Sequence, residues 1–175
     1  MIKKITVNPE VDSENIQIAG FKSNLTNFNL VMNKLSNMDP DCIIQLMDAD
    51  SVAGTEHILH ATVHAIKAFS RDENIAKDLG LEICVRTSGQ RQISQALKML
   101  GIKNGPMNIC AVAVGCEKNI MDSLVDILGS RDDAVLEPDT NKLRSLYNIT
   151  DTELETTPNI SKILMEKTAL LIIET

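Results

Sequence analysis

Two periods of hydrophobic positions alternate along this chain and set out its elements. Residues 2–7 and 16–21 are short apolar-rich runs separated by Asn8-Pro9, and they are predicted as two strands. Between 26 and 36, Phe28, Val31, Met32 and Leu35 recur at i, i+3, i+4 and i+7, which is one face of a helix ended by Asp39-Pro40. Cys42-Ile43-Ile44-Gln45-Leu46 follows as a buried strand, and a helix is predicted near 55–70. Leu81, Ile83 and Val85 alternate with Glu82, Cys84 and Arg86, the period-two signature of a strand with two different faces. A helix is expected over about 89–100, a turn at Asn104-Gly105-Pro106, and a continuous apolar strand over 109–114. Helical patterns occupy roughly 117–129, 139–147 and 159–172, with Leu136-Glu137-Pro138-Asp139 as the turn into the second.

Strands and helices alternate irregularly, so the expected class is α/β or α+β: one domain, residues 1–175, with a mixed sheet covered by helices. A chain of 175 residues buries roughly two-thirds of the surface its unfolded form exposes. With 2% aromatic residues and no Trp, the core must be aliphatic, and few rings are on hand to stack on nucleobases. No run approaches the roughly 18 apolar residues that span a bilayer, and the start, Met1-Ile2-Lys3-Lys4-Ile5, lacks the apolar stretch of a signal peptide. The expectation is a cytoplasmic protein without a membrane partner. Cys42, Cys84, Cys110 and Cys116 are scattered, and they read as buried free thiols of a reducing compartment rather than as a metal or disulfide site.

Charge changes the picture locally. The net charge is −7, yet the acidic excess lies almost wholly in residues 112–175. Between 60 and 105, Lys67, Lys77, Lys98, Lys103, Arg71, Arg86 and Arg91 outnumber Asp72, Glu73, Asp78 and Glu82. A basic face on an acidic protein is therefore expected, and local potential is what a phosphate backbone meets.

His57, His60 and His64 all fall in the helix near 55–70, and at 100° per residue they are expected on one solvent-facing stripe with Lys67 and Arg71. Three readings of that stripe stand side by side: a plain solvated face, a surface for RNA or an acidic partner, and a metal site. The outer two histidines lie about 10 Å apart along the axis, too far to share one ion. The run Arg86-Thr87-Ser88-Gly89-Gln90-Arg91-Gln92 is expected to mark a strand turning into a helix capped by Thr87 or Ser88. Amides at such an N-terminus, flanked by Arg86 and Arg91, would attract a phosphate, although a well-capped helix is the plainer account. Asp48 and Asp50 could bind a cation or act as acid and base, but they more simply shape the loop before the histidine helix. The segment 160–173 is apolar almost all round, so it either fills a core or meets another protein.

Gln45, Asp48, Val52-Ala53-Gly54, His57, Ala61, Ala68-Phe69, Ser88-Gly89, Arg91-Gln92-Ile93, Ala96-Leu97, Gly101-Ile102 and the late run Glu166-Lys167-Thr168-Ala169-Leu170-Leu171 are the positions that carry a resemblance. Through them the chain resembles the Cgi-type small subunit of the KEOPS complex, the family that includes the PRPK-binding protein. Most of the chain is covered, with the specific positions in the middle and at the end, and the form of the motif is similar to archaeal members. The resemblance implies a single mixed α/β domain with no activity and no cofactor of its own. It implies binding to the small atypical kinase of KEOPS and a part in making threonylcarbamoyladenosine in tRNA, holding the 3′ CCA tail. On this reading His57, His60, His64, Lys67, Arg71, Arg86, Ser88, Gly89 and Arg91 face tRNA. Ile163, Leu164, Ala169, Leu170 and Leu171 face the kinase, and weak self-association stays open. The rivals are a kinase adapter that never touches RNA, and a small metal-assisted hydrolase using two histidines with Asp48, Asp50 or Glu56.

Overall fold

In the computed structural model the structure describes residues 15–171. β3 (Gly105–Val114) is the spine of the fold, because Ile109, Cys110, Ala111, Val112 and Ala113 are wholly buried and present apolar side chains to both faces. It pairs antiparallel with β1 (Ile16–Leu25) on one side and with β2 (Ile43–Asp48) on the other. A two-residue β4 (Ser130–Arg131) closes the order β2-β3-β1-β4. The class is α+β as expected, and every described pairing is antiparallel. The strand expected over 2–7 lies outside the described residues.

Alternation along the strands sends two apolar sets to opposite sides. Phe21, Leu46, Ile109 and Ala111 meet α1 (Phe28–Ser36) and α5 (Ile120–Leu128). Met47, Cys110 and Val112 meet α2 (Gly54–Ser70), α3 (Leu79–Ser88) and α4 (Ile93–Leu100). The helices α6 (Thr140–Leu146), α7 (Asp151–Thr156) and α8 (Ile160–Leu170) build a third cluster around Leu143, Tyr147, Ile160, Ile163 and Leu164. The Tyr147 hydroxyl fastens that layer by donating to the Ser51 carbonyl at 2.8 Å.

Two expectations are corrected here. The stretch 81–86 is not a strand but the middle of α3, which Asp78 caps by accepting from the Leu81 amide. Its apparent period of two arises because α3 is buried on nearly every side, so no polar stripe marks the helical period. The cysteines are also not all free: Cys42 and Cys116 form a disulfide across the start of β2 and the end of β3. Cys84 and Cys110 remain free, and burial pushes the Cys84 thiol up to about 12.

Candidate nucleic-acid interface

α2 carries the row of interest, and it presents two different kinds of histidine. Its buried face runs through His57, Ile58, Ala61, Thr62, Ala65 and Ile66, where repeated alanines let α3 and α8 approach closely. His57 belongs to that face. It is fully buried, its Nδ1 accepts from the Ala53 amide at 3.0 Å, and its Nε2 donates to the Thr87 carbonyl at 3.0 Å. Both ring nitrogens are thus used, and burial lowers the pKa to about 4, keeping the ring neutral. The expectation of a solvent-facing His57 is therefore corrected: a polar ring enters the core here because two backbone groups satisfy it.

The remaining row is His60, His64, Lys67 and Arg71, one helix edge at spacings of four, three and four. His60 and His64 are half-buried with ring centroids 4.4 Å apart. Burial first, then the neighbouring charges of His60, Lys67, Arg86 and Arg71, hold His64 down to about 4. Burial likewise lowers His60. Two neutral imidazoles therefore lie against two exposed cations at neutral pH.

α3 and the end of α8 complete a cleft of about 290 Å³, lined by His64, Lys67, Arg71, Arg86, Arg91 and Leu171, with Ala68, Glu73 and Ile75. The cations differ in availability. Arg86 is 2% exposed and ion-paired with Glu82, whose carboxylate lies 2.8 Å from Nη2, and Glu82 also accepts from the Ile75 and Ala76 amides. Its charge is spent within the fold. Arg91 is exposed, and it is held over the cleft by donating to the Leu171 carbonyl at 3.0 Å. Lys67 and Arg71 make no ion pair with the described residues.

The turn after Arg86 differs from the expected phosphate cradle. Ser88 is the last residue of α3, buried, with its hydroxyl donating to the Val85 carbonyl and accepting from the Gln90 amide. Gly89 is the left-handed cap that ends the helix, at φ 67°. Ser88 and Gly89 are thus the carbonyl end of a helix, and the amide end of the next one opens only at Gln92. Of the nine residues expected to face tRNA, His64, Lys67, Arg71, Arg86 and Arg91 converge on the cleft and His60 adjoins it; His57, Ser88 and Gly89 hold the fold together. Glu73 and Ile75, in the connection from α2 to α3, and Leu171, just past α8, also line the cleft without any local signal of it.

The residues expected to face a kinase also divide. Ile163 and Leu164 are buried because α8 fills the third cluster with that side, and Leu171, just past the helix, is buried at the cleft, so all three are corrected from surface to core. Ala169 is partly exposed and Leu170 is 50% exposed. Asp48 caps the short turn after β2 by accepting from the Asp50 amide, and Asp50 pairs with Lys142 at 3.0 Å. The hydrolase reading loses His57 to the core and Asp50 to that ion pair. No described helix is long and apolar enough to cross a membrane.

Residues 22–171 match the family model described as kinase binding protein CGI-121. The regulatory protein Cgi121 of Methanocaldococcus jannaschii is 36% identical over 129 residues, covering 73% of this chain and 81% of that protein. The KEOPS complex subunit Cgi121 of Pyrococcus abyssi is 32% identical over 89 residues, 51% of this chain and 52% of its own length. The EKC/KEOPS complex subunit CGI121 of Yarrowia lipolytica is 27% identical over 107 residues, 61% of this chain and 62% of its own length. This chain belongs to the CGI-121 family of kinase-binding proteins.

Proposed function

We propose that the chain is a non-catalytic accessory subunit of a KEOPS-type complex in the cytoplasm, binding the small atypical kinase and presenting the 3′ CCA end of tRNA for threonylcarbamoyladenosine formation. The family description supports the kinase partner. The cleft supports the tRNA role: Lys67, Arg71 and Arg91 surround a concavity of about 290 Å³ beside the imidazoles of His60 and His64. A single-stranded end needs cations for its phosphates and flat groups for its unstacked bases. Neutral imidazoles serve as flat groups in a chain almost without aromatic residues. No cofactor is required for holding and presenting an RNA end.

The kinase is assigned to the outward side of α8, where Leu170 projects, because the inward side is committed to core. A kinase adapter that never touches RNA is the second reading, favoured by the net charge of −7. Binding of labelled tRNA with and without its CCA tail separates the two.

A further inference from the structure

Among the described residues β2 is an edge strand, and its outer edge is the floor of a groove of about 670 Å³. Ladder geometry says which backbone groups line that floor. Cys116 Sγ, at the β3 side, lies 3.7 Å from the Ile43 carbonyl, whereas the Leu46 carbonyl accepts from the Gln45 side chain at 3.1 Å. Backbone groups of an antiparallel strand alternate in direction, so Ile43 and Gln45 bond β3 while Ile44 and Leu46 turn outward. No described residue reaches the Ile44 amide or carbonyl with a bond outside the ladder. The walls are apolar on both sides: Phe28, Met32 and Leu35 from α1, and Leu81, Leu97 and Ile102 from α3, α4 and the turn that follows. Met32 is 39% and Leu97 42% exposed. Among the described residues the charged lining consists of two carboxylates, Asp39 and Asp78, with no Lys, Arg or His.

We infer that this groove binds an extended segment of another protein chain, added to β2 as a further strand, apolar on both of its faces over about four residues and flanked by Lys or Arg. The outward Ile44 groups and the Leu46 amide set the main-chain pairing, the Leu46 carbonyl being held by the Gln45 side chain, and an extended strand satisfies them in register. Side chains of an added strand alternate between the α1 wall and the α3–α4 wall, and both walls are apolar, so both alternations must be apolar. Flanking cations answer Asp39 and Asp78. The disulfide from Cys42 holds the start of β2 against β3 and so keeps the edge in place for pairing. This surface lies apart from the basic cleft and from Leu170, and the inference goes beyond the kinase and tRNA reading.

The test uses the full chain and a fluorescent hexapeptide of two valines and two isoleucines between terminal lysines, followed by anisotropy. Saturable binding is expected, reduced at least tenfold by Leu97→Glu or Met32→Glu, and reduced equally when alternate peptide amides are N-methylated. Both substituted side chains are exposed, so the variants should fold, and circular dichroism checks that. Equal binding of the N-methylated peptide would show mere apolar adhesion and overturn strand addition. Absence of saturable binding, or binding unchanged in both variants, overturns the site. If sedimentation shows a dimer that Leu97→Glu abolishes, the occupant is a second copy and the inference of a different partner fails.

Discussion

His57 Nε2 donates to the Thr87 carbonyl at 3.0 Å, pinning the first turn of α2 to the last turn of α3. The bond joins the helix that carries His64, Lys67 and Arg71 to the helix that carries Arg86, the two helices that line the cleft. Removal of the ring leaves the Ala53 amide and the Thr87 carbonyl unsatisfied and opens a cavity. Together these cost about 2–4 kcal/mol. His57→Ala should lower the urea midpoint by a corresponding amount, while His60→Ala, at a half-buried position, should change stability far less.

The same residue makes stability depend on pH with a definite sign. Burial lowers His57 from 6.5 to about 4, so the unfolded chain binds the proton first. The stabilisation is complete above pH 6.5 and is lost as pH falls toward 4, amounting to on the order of 3 kcal/mol. His64 is lowered in the same direction. Histidine ring resonances followed by NMR should show both rings neutral at pH 5.5. Titration of His57 near 6.5 would contradict its place in the core.

Glu82 and Arg86 test whether the cleft floor is structural. Glu82→Gln strands a buried guanidinium, at a cost of about 3–5 kcal/mol. Replacing both residues by Met should recover much of that loss, since similar volume is kept without a lone charge. Thermal unfolding of the two variants decides: a double variant as unstable as the single one would mean that the ion pair contributes beyond neutralising Arg86.

Leu170 and Leu171 are neighbours with opposite fates. Leu171 is 2% exposed and Leu170 50%. Leu171→Glu should destabilise by several kcal/mol, on the order of 3 or more, through a buried charge. Leu170→Glu should fold normally and, on the proposed reading, release the kinase in co-purification. Retention of the kinase by folded Leu170→Glu would move the docking surface off α8.

How much of this is legible in the sequence depends on what each residue touches. The basic row can be read because His60, His64, Lys67 and Arg71 recur along one helix edge at helical spacings, and period alone finds such a set. His57 shares that polarity but lies on the buried face, and nothing local announces that the Thr87 carbonyl, thirty residues on, will accept its hydrogen bond. α3 reads as a strand because leucine, isoleucine and valine alternate with residues that are themselves buried. The spacing of Glu82 and Arg86 at i and i+4 is the helical signal, hidden because a charged pair suggests an exposed face and this one is buried. Cys42 and Cys116, 74 residues apart, meet only through the pairing of β2 with β3.

The most direct measurement is a filter-binding titration of labelled tRNA, with and without its 3′ CCA tail, against the full chain and a Lys67→Glu/Arg71→Glu variant across a salt series. Tail-dependent binding that weakens with salt is expected. The variant should bind at least tenfold more weakly, with a salt slope shallower by about 0.7 for each single-strand phosphate that the protein no longer neutralises. Equal binding by both proteins, or no tail dependence, would contradict the assignment of the cleft to the tRNA end and leave the kinase adapter as the function.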